Sequence, residues 1–178
     1  RPDTLRQELE ELAEDEWKQV EATINKAVTE LIAFRELEGK MIQQVLTEKI
    51  TKIQSLLVEI EPFETERIEK VKKRLYDELH ELEGIDYDKN RFEQELLFYI
   101  EKLDFTEEKA RLKKHCEYFM ETMKEDTSNG KKLSFICQEM GREINTLGAK
   151  SLEYNIQQNV VQMKDELEKI KEQLANIL

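Results

Sequence analysis

Proline, glycine and aromatic residues are scarce in this chain. Two prolines and five glycines in 178 residues leave few sites for tight turns. Aromatic side chains make up only 7%. Strand-rich folds draw on aromatic and turn-forming residues, so the shortage favours long helices over a sheet. Cysteine is almost absent. Cys116 and Cys137 both fall on apolar helical positions, which reads as buried free thiols in a reducing cytosol. No apolar run approaches the length needed to cross a bilayer, and no signal peptide is evident, so the expected location is cytoplasmic with no membrane partner. Several reaction classes also lack their motifs. There is no Gly-rich phosphate loop followed by Lys-Ser/Thr, no Cys/His zinc spacing and no Ser-His-Asp arrangement. The chain starts Arg1-Pro2-Asp3 rather than with Met, which reads as a fragment.

Charge is what the sequence has in quantity. Charged residues are 38% of the chain, and 40 acidic against 28 basic side chains give a net charge of −12. Spread evenly, that charge is a poor match to nucleic acid, so any RNA contact requires local basic patches.

Apolar residues recur at spacings of three and four, the period of an amphipathic helix. Leu5, Leu9, Leu12, Ile24, Leu31 and Phe34 begin the pattern, and Ile42 to Ile60 continues it. This predicts one helix, or two collinear ones, over about 3–60, with Gly39 as the natural weak point. Pro62 suits the first turn of a helix over about 62–81, with His80 on the surface near its end. Residues 83–87 read as a loop, and Asp88 as the cap of a helix over about 89–103. Asp104 with Glu107 fits a capping box for a helix over about 106–125, with Thr106 as the alternative cap. Residues 126–130 form a turn cluster. A further helix is expected to about Leu147, with a break at 148–150. From about Leu152 the last helix carries three heptads of seam, Ile156 to Ile177, packing within the chain or between subunits. The expected fold is all-α: long amphipathic helices in hairpins or a bundle with coiled-coil-like packing, divided as 1–82 and 83–178.

One segment, 130–150, departs from this generic pattern. Leu133, Ile136, Cys137, Met140, Ile144 and Leu147 keep an apolar stripe. On a helix turning about 100° per residue, one flank collects Lys132, Glu139, Glu143, Thr146 and Lys150. The outer face collects Lys131, Gln138, Arg142 and Asn145. Glu139 and Glu143 are four apart, a mildly destabilising like-charge pair unless a cation is near. Gly141 in mid-helix costs about 1 kcal/mol relative to Ala, which close approach of a backbone or ligand would explain. Ion pairs on a solvated face, Arg142 with Glu139 and Lys150 with Glu143, are the plainer explanation of the carboxylates. On the preceding helix, Glu108, Arg111 and His115 line one edge. They can form a site or simply an ion-pair ladder.

These carboxylates are the chemical resource. Glu139 and Glu143 suit a hard divalent ion such as Mg²⁺ or Mn²⁺, which would activate water and neutralise charge on a phosphate. Arg111, Arg142, Lys131 and Lys132 are candidates to hold phosphates. A metal-free route needs two acid/base groups, and His115 is the one suitable histidine.

The polar runs also resemble a family. Residues 130–150, Gly-Lys-Lys-Leu-Ser-Phe-Ile-Cys-Gln-Glu-Met-Gly-Arg-Glu-Ile-Asn-Thr-Leu-Gly-Ala-Lys, resemble the C-terminal signature of the bacterial YicC-like proteins. So do residues 35–39, 91–95, 103–108, 111–115 and 160–173, in order and spacing. The resemblance implies an endoribonuclease that assembles into ring-like hexamers, some members requiring a divalent metal, and an additional N-terminal domain that this sequence lacks. It makes Glu108, Arg111, His115, Gln138, Glu139, Arg142, Glu143, Asn145 and Lys150 candidates for that activity. The chain departs from the family pattern in places. The usual Gly-Arg-Lys-Leu-Asp-Phe is Gly-Lys-Lys-Leu-Ser-Phe at 130–135, which removes a fork-shaped phosphate donor and a carboxylate. The usual Ser-His is Lys114-His115, the usual Gly-Ser-Lys is 148–150 Gly-Ala-Lys, and Leu178 replaces the usual Glu. The expected function is therefore hydrolysis of RNA phosphodiester bonds. Catalytic candidates are Glu139, Glu143, Glu108 and His115. RNA-binding candidates are Arg111, Lys131, Lys132, Gln138, Arg142, Asn145 and Lys150. The alternative is a non-catalytic RNA-binding or scaffold protein that recruits RNA-decay proteins.

Overall fold

The computed structural model describes residues 13–81, 87–125, 128–151 and 153–177, without the side chains of 65 and 177. Among them the regular elements are all helices: α1 (Glu14–Glu59), α2 (Glu61–Glu81), α3 (Lys89–Leu103), α4 (Thr106–Thr122), α5 (Gly130–Lys150) and α6 (Tyr154–Ile177). The all-α expectation holds. The expected break at Gly39 does not occur, and α1 runs through it. Its neighbours Glu36, Leu37, Glu38, Lys40 and Met41 are good helix formers, and one glycine costs only about 1 kcal/mol against them. The expected start near residue 3 and the loop at 83–87 lie largely outside the described residues.

The chain divides into two compact units, Arg1–Ile42 and Gln43–Leu178. The expected boundary at 82/83 falls among undescribed residues. In the first unit every described residue from Ala13 to Met41 is exposed. The second unit holds the core.

That core is built from apolar stripes at helical spacing. The C-terminal part of α1 buries Leu46, Ile50, Ile53 and Leu57, α4 buries Leu112, Cys116 and Phe119, and α6 buries Ile156, Val160, Met163, Leu167, Ile170 and Leu174. The α6 seam is therefore covered inside the chain. Its neighbour α5 packs against both α4 and α6 and buries Leu133, Ile136, Cys137, Met140, Ile144 and Leu147. α4 and α5 run antiparallel. Asn129 donates to the Thr122 carbonyl at one end, and Lys150 meets Glu108 at the other.

Helix ends are satisfied by identifiable groups. Asp88 caps α3 as expected, its carboxylate accepting from the Asn90 and Arg91 amides. The expected capping box at α4 does not form. Asp104 accepts from the amide and hydroxyl of Thr106, and Glu107 turns instead to Arg111. The expected break at 148–150 is also absent, because α5 continues to Lys150. Two side chains from other helices take up its last carbonyls. Gln157 of α6 donates to the Gly148 and Ser151 carbonyls, and Arg67 of α2 donates to the Lys150 carbonyl.

The α5 glycines have a packing explanation. A Cβ on Gly148 would lie 2.9 Å from Val160 Cγ1, and one on Gly141 would lie 3.3 Å from Leu167 Cδ2. Both glycines let α6 approach. Gly141 therefore has an explanation other than a ligand.

A candidate nucleic-acid site on the α4–α5 edge

The antiparallel α4–α5 pairing sets one edge of each helix face to face, and most of the expected site residues lie along it. Lys150 Nζ is 2.8 Å from Glu108 Oε1. One helical turn further along α4, Arg111 reaches across to Glu143 at 4.0 Å and also pairs with Glu107 on its own helix. His115 follows after another helical turn. It is half-buried and makes no hydrogen bond or ion pair among the described residues. On α5, Glu139 pairs with Arg142 at 3.0 Å. These pairings decide between the expected alternatives. The Glu108–Arg111–His115 ladder does not form, because Glu108 turns to Lys150 and Arg111 turns to Glu107 and Glu143. Lys150 does not pair with Glu143. The Arg142–Glu139 pair does form.

Burial separates these groups by role. The Glu108 and Glu143 side chains are 9% and 12% exposed, so each carboxylate is held in a partly dehydrated setting. Beside them the Arg111 and Arg142 side chains are 55% and 74% exposed and keep donors free for a ligand. Gln138 and Asn145 are exposed on the outer face, as their helical positions predicted. Lys131 and Lys132 are not brought to the carboxylates. They sit a dozen residues before Glu143, roughly 18 Å along the helix. Lys132 is engaged there by Glu125 at 2.8 Å and lies over the Tyr118 ring.

The residue that organises the far end of this edge is one that sequence reasoning missed. Arg67 of α2 is buried. Its Nη2 donates to the Leu103 carbonyl at 2.7 Å and its Nη1 to the Lys150 carbonyl at 3.1 Å. Its guanidinium stacks on Phe105, 4.5 Å from the ring centroid. One side chain thus ties the ends of α3 and α5 to the start of α4. Burial lowers the Arg67 pKa, opposed by the nearby charges of Glu64 and Asp104. Asp104 has its pKa lowered, chiefly by the Thr106 hydroxyl and amide and further by the Lys150 and Arg67 charges. Close by, Lys109 binds Glu64 at 2.8 Å. The signal was present in the sequence. Arg67 sits four residues after Phe63 and four before Val71, on an otherwise apolar stripe. Three buried polar atoms at this junction have no protein partner: Arg67 Nε, Glu108 Oε2 and Ser151 Oγ.

A divalent metal finds an incomplete donor set. Among the described residues no group of three or more His, Cys, Asp or Glu side chains is arranged to hold one. Glu139 and Glu143 supply oxygens of the right chemical kind, but each already faces an arginine. The side chains of this edge do not by themselves complete a metal site.

Residues 60–178 match the family described as Endoribonuclease YicC-like, C-terminal. The chain belongs to the YicC-like family. It is 35% identical over 181 residues to a Clostridioides difficile (strain 630) protein named "Probable endoribonuclease YicC", covering 99% of this chain and 61% of that protein. A Haemophilus influenzae protein of the same name is 28% identical over 153 residues, covering 84% of this chain and 52% of the relative. The chain thus spans between about half and three-fifths of the length of these curated relatives. The matched region contains the whole α4–α5 edge and Arg67. Among the described residues no helix is long and apolar enough to cross a membrane.

Proposed function

We propose that this YicC-like chain takes part in endonucleolytic cleavage of RNA, with the α4–α5 edge facing the scissile phosphodiester. The observation that supports this best is that two nearly buried carboxylates, Glu108 held by Lys150 and Glu143 facing Arg111, lie on the same edge as the exposed guanidiniums of Arg111 and Arg142. Arg111 and Arg142 neutralise charge on the phosphoryl oxygens, Arg in bidentate fashion. Glu143, whose only ion-pair contact among the described residues is the long one to Arg111, accepts the proton of the attacking oxygen. His115, without a partner among the described residues, donates a proton to the leaving oxygen. Glu108 and Lys150 fix the end of the edge. Gln138 and Asn145 contact the flanking nucleotides, and Lys131 and Lys132 bind phosphates further along the strand. The protein works in the cytoplasm as a homo-oligomer, and Mn²⁺ or Mg²⁺ is a candidate cofactor only if RNA or residues outside this edge complete its ligands.

A second reading has its own support. Glu139 and Glu143 both face arginines, and the net charge is −12. The paired carboxylates suit a non-catalytic RNA-binding or scaffold protein, and the acidic charge suits its scaffold form, which recruits RNA-decay proteins rather than RNA itself. End-labelled RNA incubated with the purified chain in Mn²⁺, Mg²⁺ or EDTA separates the two. Internal cleavage supports the nuclease. Retained RNA with no cleavage under any condition supports the scaffold.

A further inference from the structure

In a chain of net charge −12, one helix face carries no carboxylate. Between Lys131 and Leu147 the exposed residues of α5 are Lys131, Phe135, Gln138, Arg142, Asn145 and Thr146, and none is acidic. Every other described helix exposes carboxylates, among them Glu21 of α1, Glu61 of α2, Glu93 of α3, Glu117 of α4 and Asp165 of α6. The outer face of α5 is therefore the helix surface least repulsive to a phosphate backbone.

That face also presents an aromatic ring. Phe135 is 61% exposed. A single exposed apolar side chain means little by itself, so its setting decides. Lys131 lies four residues before it, roughly 6 Å along the helix axis, and Arg142 lies seven after, roughly 10 Å. Lys131 makes no ion pair among the described residues. The Arg142 side chain is 74% exposed and keeps donors free beyond its contact with Glu139. Gln138, almost one helical turn on, carries an amide that can hydrogen-bond the edge of a base. No cation or second ring covers Phe135 among the described residues, whereas Phe98 of α3, also exposed, lies under Lys102 at 4.4 Å. Glu139 and Glu125 are each turned to a cation, Arg142 at 3.0 Å and Lys132 at 2.8 Å. A ring open on its face, set between two cations, is the arrangement that binds single-stranded nucleic acid. It needs an unpaired base, because a duplex keeps its bases stacked on one another.

We propose that Phe135 is the stacking platform for one base of single-stranded RNA laid along the outer face of α5. Gln138 reaches the edge of that base, and Lys131 and Arg142 take the phosphates on either side. This inference rests on the reading of the chain as one that acts on RNA. Phe135 lies eight residues before Glu143, roughly 12 Å along the axis, so it positions the strand and does not touch the reacting phosphate.

Binding of a fluorescein-labelled single-stranded oligoribonucleotide to the 178-residue chain in EDTA, read by anisotropy, tests this. Phe135→Ala is expected to raise Kd about 5- to 150-fold. Phe135→Leu, apolar but without a π face, should keep most of that loss, and Phe135→Tyr should bind like wild type. The same strand annealed to its complement should bind wild type and Phe135→Ala alike. 2-Aminopurine placed at each position of the strand in turn should be quenched at one position by wild type and at none by Phe135→Ala. Circular dichroism and sedimentation equilibrium should show unchanged helicity and mass in every variant. Loss of binding in Phe135→Ala supports the proposal even in a chain that cleaves no RNA, which would remove only the nuclease reading. Wild-type binding by Phe135→Ala or Phe135→Leu overturns the proposal and leaves the RNA reading in place. An equal loss on the duplex, or a changed mass in Phe135→Ala, also overturns it, the latter by marking Phe135 as a contact between copies. A wild-type chain that binds no single strand overturns the proposal and the RNA reading together.

Discussion

Replacing Gly148 by alanine tests the packing that aligns α5 with its neighbours. The new Cβ would lie 2.9 Å from Cγ1 of Val160. Val160 is buried, and a β-branched side chain on a helix has one strongly preferred rotamer, so it cannot swing aside. Overpacking of this kind costs about 1–3 kcal/mol. Against it stands the helix-propensity gain of Ala over Gly, about 1 kcal/mol. The net is a destabilisation of about 0–2 kcal/mol. Gly141→Ala supplies the control, since the propensity gain is the same and the new Cβ would lie 3.3 Å from Leu167 Cδ2, the mobile end of a longer side chain. That variant is expected to be neutral or stabilised by up to about 1 kcal/mol. With the propensity gain cancelled, the difference between the two isolates the steric contribution at about 1–3 kcal/mol, or roughly 2–12 °C in Tm for a chain of this length. Urea unfolding followed by helical circular dichroism reads it. In a double-mutant cycle, Val160→Ala should cost about 1 kcal/mol less in the Gly148→Ala background than in wild type. Gly148→Ala as stable as Gly141→Ala, with no coupling to Val160, would refute the close-approach explanation.

Arg67→Met leaves the Leu103 and Lys150 carbonyls without their buried donor and should cost about 3 kcal/mol in urea unfolding, with Arg67→Lys recovering only part because one ammonium cannot span both carbonyls as the fork does. A loss under about 1 kcal/mol would show that water replaces the clamp. Asp104 and Glu166 have folded-state pKa values below their ordinary ones, through hydrogen bonds from Thr106 and from Lys169 and Lys49 respectively. Their contribution is therefore complete above the ordinary carboxylate range and lost as pH falls through the lowered values. Stability measured from about pH 6 downward should fall on that limb, and Asp104→Asn should shallow it. Burial pushes both cysteine thiols up to about 12. A thiol reagent at about pH 8 should find neither Cys116 nor Cys137 in the folded chain and both in denaturant, and rapid reaction in the folded chain would contradict that burial.

Helix existence and type were legible because apolar spacing alone fixes them. The α6 seam, the α5 stripe and the Asp88 cap all follow from local pattern. Errors came where long-range packing overrode a local signal. Gly39 and Gly148 looked like breaks, yet a single glycine is a small cost within a long helix, and Gly148 exists to admit Val160. Asp104 and Glu107 had the spacing of a capping box, but Arg111 drew Glu107 away. The candidate edge was legible as a set of residues and not as a set of partners. Helical spacing placed Glu108, Arg111 and His115 on one line, but the antiparallel register of α4 and α5 decided that Glu108 meets Lys150 and that Arg111 meets Glu143. Lys131 and Lys132 were assigned by charge, and helix length separates them from the carboxylates. Arg67 is not legible as a clamp from sequence, because a lone charge on an apolar stripe also fits a solvated helix edge. Its partners are backbone carbonyls, which no side-chain pattern reveals.

The most direct test of the α4–α5 edge is RNA cleavage by Glu143→Gln beside wild type, in Mn²⁺, Mg²⁺ and EDTA, with circular dichroism to confirm equal helicity. Glutamine keeps the shape and the arginine neighbour but cannot accept the proton. Cleavage lost in the variant, with RNA binding and helicity retained, is the predicted result. Cleavage at the wild-type rate would contradict a catalytic role for Glu143 and remove the chemistry proposed for this edge.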